Sequence, residues 1–221
     1  AEDYDHWAQS GNTGWSYDDV LPLFKRSESY ELGADEMHGA DGGLAVSKMR
    51  AQSKISEAFI NAAVEMGVPR TDDYNGREQE GAGYFDQTAK HGLRCSSAKA
   101  FLLPIKSRAN LEIQIHAHIT GLLFDEADNS AITGVSYSQK GESQHALLNA
   151  GGEVILSAGA IGSPQILELS GIGRGDILQQ AGIHVRHELP GVGEALQDHL
   201  QIRLVYEVNV PTLNDMINSM F

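Results

Sequence analysis

The sequence predicts a mixed α/β fold in which an antiparallel meander is inserted between two strands of a parallel sheet. Amphipathic helical patterns dominate the first hundred residues, whereas short alternating strands dominate from residue 110 onwards. Residues 111–117 alternate apolar and polar side chains, and residues 153–158 form a continuous apolar run. Because such a run suits a strand that is buried on both faces, we expect these two segments to share one parallel sheet, with the meander at 119–150 between them.

The composition favours an ordered and acidic protein. Hydrophobic residues make up 41% of the 221 residues, which is enough for a core and argues against disorder. The formal net charge of −14 disfavours nucleic acid as a partner, because phosphate backbones are also negative. A single cysteine, Cys95, excludes an internal disulfide. We expect a cytoplasmic protein, with membrane association of a longer parent protein as the alternative.

Two helices are predicted in the N-terminal part. The first covers residues 16–30, where Ser16, Asp18 or Asp19 can act as the N-cap, so Pro22 must lie near the first turns. The second covers residues 53–66, with Ser53 as the N-cap and Gly67 ending the helix.

Loops and short elements separate and follow these helices. Glycine-rich residues 38–43 form a loop before a short strand at 44–48, and Asn75-Gly76 marks a turn. A hairpin turns at residues 90–92, and a short helix capped by Ser96 or Ser97 ends at Pro104.

The second half of the chain is predicted as strands followed by helix–strand units. Helices are expected at 163–170, with Ser163 as N-cap and Pro164 as the first helical residue, and at 176–182. The expected strands are those of the meander, at 119–126, 131–139 and 145–150, and two later ones, at 184–189 and 201–208.

The segment at 153–173 carries the strongest functional signal. An apolar strand ends at Ser157-Ala158-Gly159, and a helix follows. Small residues allow another molecule to approach the backbone, and a helix N-terminus presents free N–H groups and a positive dipole end. A dinucleotide cofactor needs both features at the carboxyl end of a parallel strand. A plain strand–helix turn with good capping explains the same pattern, and the physical signal alone leaves both interpretations open.

The string GAIGSPQILELSGIG, residues 159–173, resembles the second signature of the glucose–methanol–choline (GMC) oxidoreductases at every specified position. Further segments resemble the same family in the same order, so the resemblance covers nearly the whole chain. They are GNTGWSYDDVLPLFKRSE (11–28), HGADGGL (38–44), SSAKAFLLP (96–104), NLEIQIHAHITGLLFD (110–125) and PGVGEALQDHL (190–200).

The resemblance implies a flavoprotein that oxidises an alcohol by hydride transfer to FAD. It implies part of an FAD-binding Rossmann-like domain with an inserted meander, plus part of a substrate-binding domain. Ile119 then contacts the adenine end of FAD through its backbone, and Ser157, Ala158 and Gly159 lie against the ADP half. The ranges expected are a mixed segment at 1–100, part of the FAD-binding domain at 101–190, and the start of a returning substrate-domain segment at 191–221.

The family's catalytic residues match nothing in this chain. The GxGxxG pyrophosphate loop is absent from the sequence, and the family's catalytic histidine lies in a later region, so we expect the 221-residue chain alone to be inactive. His116 and His118 share one strand face, but two ligands are weak evidence for a metal site. The electron acceptor and the oligomeric state cannot be predicted.

The substrate prediction rests on Gln201. Choline-oxidising relatives carry a carboxylate after the Asp-His step, which suits a trimethylammonium group, whereas this chain has a neutral amide at Gln201. An uncharged primary alcohol is therefore expected as substrate, with choline as the alternative. A non-catalytic, cofactor-free fragment is the alternative from another functional class.

Overall fold

The computed structural model describes residues 2–128 and 130–218, and the side chains of residues 2–128 and 130–215. The chain divides into two compact units, which are described separately. Unit 1 comprises Ala1–Glu112 with Val205–Phe221, and unit 2 comprises Ile113–Leu204. Asn129 of the predicted turn and the last three residues of the range 191–221 lie outside the described residues. In the part that is described, no helix is long and apolar enough to cross a membrane.

Unit 1 begins with two helices, α1 at Glu2–Gln9 and α2 at Tyr17–Ser27. Ser16 caps α2 as one of the predicted candidates, and it forms a capping box with Asp19. Pro22 lies in the middle of α2, where it removes the bond to the carbonyl of Asp18. The helix ends at Ser27 rather than at residue 30, because the next three residues pair as a strand.

The short strands of unit 1 form two small sheets. Strand β1 (Glu28–Tyr30) pairs in parallel with β2 (Leu44–Val46), so the glycine-rich loop connects two neighbouring strands. Strands β3 (Ala89–Lys90) and β4 (Leu93–Arg94) form a hairpin at the predicted turn, although the first strand lies after residues 84–88, where it was expected. His91 and Gly92 both have positive φ, 52° and 76°, as a tight hairpin turn requires.

The predicted central helix of unit 1 is confirmed. Helix α3 covers Lys54–Glu65, Ser53 accepts the N-cap hydrogen bond from the amide of Ser56, and Gly67 follows the helix with φ of 95°. A π-helical turn at Ala98–Leu102 and a 3₁₀ turn at Leu103–Ile105 replace the predicted short helix before Pro104. A short helix, α6, covers Leu213–Asn218.

A buried histidine lies at the centre of unit 1. His38 is 1% exposed, and its ring stacks on that of Tyr30 with the centroids 4.0 Å apart. Its Nδ1 faces Glu28 Oε2 at 3.1 Å, and its Nε2 faces Asp73 Oδ2 at 3.1 Å. Since both ring nitrogens face carboxylates, only the doubly protonated ring can donate to both. Burial lowers the pKa of His38, but the hydrogen bond to Asp73 and the charge of Glu28 outweigh burial, and the net pKa is raised above its ordinary value.

A second buried carboxylate extends this cluster. Asp86 Oδ2 accepts hydrogen bonds from the Tyr30 hydroxyl at 3.2 Å and from Lys48 Nζ at 3.0 Å. Lys48 Nζ also lies 5.3 Å from the centroid of the Tyr30 ring, within cation–π range. Side-chain hydrogen bonds and ion pairs thus link β1 and Lys48, which follows β2, to the loop at residues 72–86.

Unit 2 contains the predicted antiparallel meander. Its strands are β5 (Ala117–Phe124), β6 (Ile132–Gln139) and β7 (Glu142–Leu147), in the order β5-β6-β7. Lys140 and Gly141, with φ of 54° and 84°, form the turn between β6 and β7. Strand β5 carries an extra residue at Thr120, because Ile119 faces Tyr137 while Gly121 faces Ser136.

A helix–strand layer packs beside the meander. Helix α4 covers Gly159–Leu169, β8 covers Ile172–Gly173, α5 covers Gly175–Gln180, and β9 covers His187–Glu188, parallel to β8. Leu178 of α5 is 1% exposed and is the most deeply buried apolar residue among those described. Gly171 has φ of +84°, and a Cβ there would lie 2.3 Å from the carbonyl oxygen of His184, so only glycine fits.

Three predicted strands are wrong. Residues 111–116, 152–157 and 201–208 have no ladder partner in the described structure, and all three segments lack regular secondary structure. The prediction that 111–117 and 153–158 pair in one parallel sheet therefore fails. The sequence does contain an apolar run at residues 154–156, but a strand also needs a neighbouring strand for its backbone hydrogen bonds, and the described chain places none there.

The start of helix α4 also differs from the prediction. The helix begins at Gly159 rather than at Pro164, so Ser163 is not the N-cap. Pro164 gives up only the bond to the carbonyl of Ala160, and the helix extends on its N-terminal side over residues 159–163. Ser163 nevertheless stabilises the start of the helix, since its Oγ accepts a hydrogen bond from the amide of Ala158 at 3.0 Å.

We predict that His38 makes the stability of unit 1 pH-dependent. Because the folded pKa of His38 is raised, its contribution is complete below the pKa of the unfolded chain and is lost as the pH rises through the folded pKa. The wild-type free energy of unfolding should therefore fall towards that of His38→Asn as the pH rises. Chemical denaturation over a pH series, with NMR titration of the His38 ring, measures both quantities. The matched control is His91→Asn, which removes an exposed histidine and leaves the His38 contribution in place. A His38 pKa at or below the ordinary value contradicts the prediction.

Candidate cofactor site

The N-terminus of α4 is open to solvent. Ser157, Ala158 and Gly159, all predicted as cofactor contacts, are exposed, and the segment before them, which has no regular secondary structure, leads directly into the helix. Gly159 has φ of +86°, and a Cβ built on it would meet nothing within 4 Å. A second molecule can therefore approach the backbone of Gly159 without meeting protein atoms.

The electrostatics of this helix end favour an anion. The first turn of α4 contains no acidic side chain, so nothing in that turn neutralises the positive end of the helix dipole. The first backbone N–H groups of a helix have no partner within the helix. Ser163 satisfies the amide of Ala158, and the N–H groups that follow in the first turn are of the kind that binds anions at helix N-termini.

Ile119 lies on β5, the other predicted contact element. Its side chain is half-buried and faces Tyr137 on β6, and the extra residue Thr120 follows it directly. In the three-stranded sheet β5 is an edge strand, so one side of its backbone has no strand partner among the described residues. Backbone contact with a ligand is therefore compatible with a half-buried side chain at Ile119.

Ser170 connects the two elements. This buried serine follows the last residue of α4, and its Oγ accepts a hydrogen bond from the amide of Leu122 on β5 at 2.8 Å. The same hydroxyl donates to the carbonyl oxygen of Ile166 at 2.5 Å. Ser170 lies within the string at residues 159–173 that resembles the family signature, and a serine directly before a glycine that ends a helix gives no further signal of a role.

Gln201 lies away from α4 and β5 in the sequence of unit 2, whereas the two histidines lie at the start of β5. Gln201 is exposed in an irregular segment, and no hydrogen bond, ion pair or ring contact described joins it to α4 or β5. His116 precedes β5 with φ of 57°, and His118 is exposed on β5. Within the described residues, no three His, Cys, Asp or Glu side chains gather in a geometry suited to a metal ion.

Comparison with known proteins finds relatives among the GMC oxidoreductases and among choline and alcohol dehydrogenases. The family profile described as GMC oxidoreductase matches residues 1–201. The oxygen-dependent choline dehydrogenase of Pectobacterium atrosepticum is 46% identical over 214 residues, which are 96% of this chain and 37% of that protein. The alcohol dehydrogenase (acceptor) of Pseudomonas putida is 43% identical over 212 residues, which are 96% of this chain and 38% of that protein. The chain thus spans somewhat more than a third of the length of these two relatives.

A solved structure supports the fold. The FAD-dependent oxidoreductase from Chaetomium thermophilum superposes with a TM-score of 0.77 at 29% identity, over 86% of this chain and 34% of that one. The mixed α/β architecture of this chain is therefore shared with about a third of that solved structure. Given the family match over residues 1–201, this chain belongs to the GMC oxidoreductase family.

Proposed function

We propose that this chain is part of an FAD-dependent oxidoreductase that oxidises a primary alcohol. The observation that carries the proposal is the open, uncharged N-terminus of α4 at Gly159, in a chain whose first 201 residues match the family. When bound, FAD supplies the hydride acceptor of such a reaction. This chain contributes binding and orientation, and the groups that act on the alcohol proton are expected outside its residues.

The residues at the start of α4 fit the ADP half of FAD. Gly159 offers a backbone that no side chain covers, and the free N–H groups of the first turn suit the negative pyrophosphate. On β5 the backbone of Ile119 is the proposed contact for the adenine end. Ser157, Ala158, Gly159 and Ile119 therefore bind and orient the cofactor, and they take no part in proton transfer.

The proposed domain assignment follows from this site. Residues 101–190 belong to the FAD-binding domain, 1–100 border the flavin and substrate domains, and 191–221 begin the returning substrate-domain segment. Support comes from unit 2, Ile113–Leu204, which contains the meander, α4 and Ile119 in one compact body.

A neutral primary alcohol is the proposed substrate. Gln201 can form hydrogen bonds with a hydroxyl group but cannot neutralise a quaternary ammonium, whose desolvation needs a counter-charge or an aromatic face. Choline is the second candidate, because several relatives are named choline dehydrogenases, and their 46% and 45% identity slightly exceeds the 43% of the alcohol dehydrogenase.

The absorption spectrum of the full-length protein tests the proposal. We expect a flavin spectrum after purification, which a primary alcohol bleaches under anaerobic conditions. A protein of full-length mass without flavin absorption, and unable to bind added FAD, contradicts the proposal and favours a non-catalytic role.

Gly159→Ala tests the cofactor site. Alanine at a φ of +86° is strained, which lowers the free energy of unfolding by about 1 kcal/mol, and its methyl group occupies the open space proposed for the cofactor. We expect FAD affinity to fall about tenfold, measured by flavin fluorescence titration.

Gly191→Ala is the matched control for this variant. A Cβ at Gly191 also meets nothing within 4 Å, but its φ lies outside the left-handed region, so it adds a methyl group without strain. It should leave FAD affinity unchanged. Equal affinity of Gly159→Ala and wild type would show that the cofactor does not approach Gly159.

Gln201→Glu tests the substrate assignment. An added carboxylate near a trimethylammonium group should shift the ratio of the two kcat/KM values towards choline about two- to fivefold, because exposed charge pairs contribute about 0.5–1 kcal/mol. Parallel kinetics with choline and a neutral primary alcohol of similar size measure the ratio in the full-length enzyme. Gln197→Glu adds the same charge at another exposed position and should leave the ratio unchanged. A wild type that prefers choline overturns the assignment.

A further inference from the structure

We propose that Ser170 is a positioning residue for the cofactor site. Its hydrogen bonds hold β5 at a fixed position relative to α4, so that Ile119 and Gly159 can contact the same dinucleotide. This inference rests on the proposed function. Ser170 is 8% exposed and does not lie at the open end of α4, so it acts through other residues rather than by touching the cofactor.

One hydroxyl group makes two different hydrogen bonds here. The oxygen of Ser170 accepts from the amide of Leu122 at 2.8 Å, and its hydrogen is donated to the carbonyl of Ile166 at 2.5 Å. The amide of Leu122 belongs to the edge strand β5, so without Ser170 this N–H would be buried without its partner. Since an unsatisfied buried donor is costly, the serine stabilises one relative placement of strand and helix.

Gly121 lies beside this contact. A Cβ on Gly121 would stand in ordinary van der Waals contact with Ser170 Oγ, at 3.4 Å, and with Ser136 Oγ, at 3.6 Å. Ser136 Oγ donates to the carbonyl of Gly121 at 3.3 Å and accepts from Thr120 Oγ1 at 2.9 Å. The backbone directly after Ile119 is therefore fixed by hydroxyl groups from both β6 and the end of α4.

The other end of the same helix carries Gly159. Helix α4 has 11 residues, which corresponds to a length of about 16 Å. A helix of this length is rigid, so fixing its C-terminal end against β5 also sets the position of its N-terminus. Gly171, with a φ of +84° and a carbonyl that accepts from the amide of Arg186 at 2.8 Å, holds the chain after Ser170 in place.

The test compares Ser170→Ala, Ser170→Thr and Leu178→Ala in the full-length protein. Alanine removes both hydrogen bonds, threonine retains a hydroxyl with the same donor and acceptor, and Leu178→Ala destabilises the core of unit 2 at a residue outside the cofactor site. FAD affinity is measured by fluorescence titration, protection of the Leu122 amide by hydrogen exchange, and global stability by thermal unfolding.

We expect Ser170→Ala to weaken FAD binding about five- to tenfold and to expose the Leu122 amide to exchange. Ser170→Thr should restore both values, whereas Leu178→Ala should lower the melting temperature and keep wild-type FAD affinity. Wild-type affinity in Ser170→Ala, or an equal loss in Leu178→Ala, overturns the positioning role and leaves the proposed function standing. A wild-type protein that fails to bind FAD overturns both.

Discussion

The hydrogen bonds of Ser170 are the constraint on which the rest of unit 2 depends. A single buried hydroxyl links the end of α4 to the edge strand of the meander. This hydrogen bond is directional, whereas apolar contacts between a helix and a sheet are not. A dinucleotide that contacts both elements requires them at a fixed separation, so a directional bond at the far end of the helix has a functional consequence at its open end.

Unit 1 is organised differently, around ionised groups. His38 lies between Glu28 and Asp73, and Lys48 lies between Asp86 and the ring of Tyr30. Each of these groups has an opposite charge or a hydrogen-bond partner, which compensates for the loss of water around a buried charge. The glycine-rich loop at residues 38–43 packs closely against α2. A Cβ on Gly39 would lie 1.8 Å from the carbonyl oxygen of Lys25, so this position requires glycine.

The sequence predicted the local features of the fold well and the long-range ones poorly. Ser16 and Ser53 cap helices as expected, the hairpin at residues 90–92 is present, and the antiparallel meander is confirmed. Caps and tight turns depend on neighbouring residues, so they can be read from a short window. The parallel pairing of 111–117 with 153–158 failed because a parallel ladder depends on partners far away in sequence, which periodicity does not identify.

The candidate site shows the same division. Family resemblance identified Ser157, Ala158 and Gly159, and the structure gives these residues an exposed backbone at the start of a helix. Ser170 was missed as a functional residue, because the amide that it binds, on Leu122, lies 48 positions away.

The most direct test of the account is a crystal structure of the full-length protein with FAD bound. The account predicts the ADP half at the N-terminus of α4, within hydrogen-bond distance of the backbone of Ser157–Gly159, with the adenine end at the backbone of Ile119. FAD bound with its ADP half away from both α4 and β5 would contradict it.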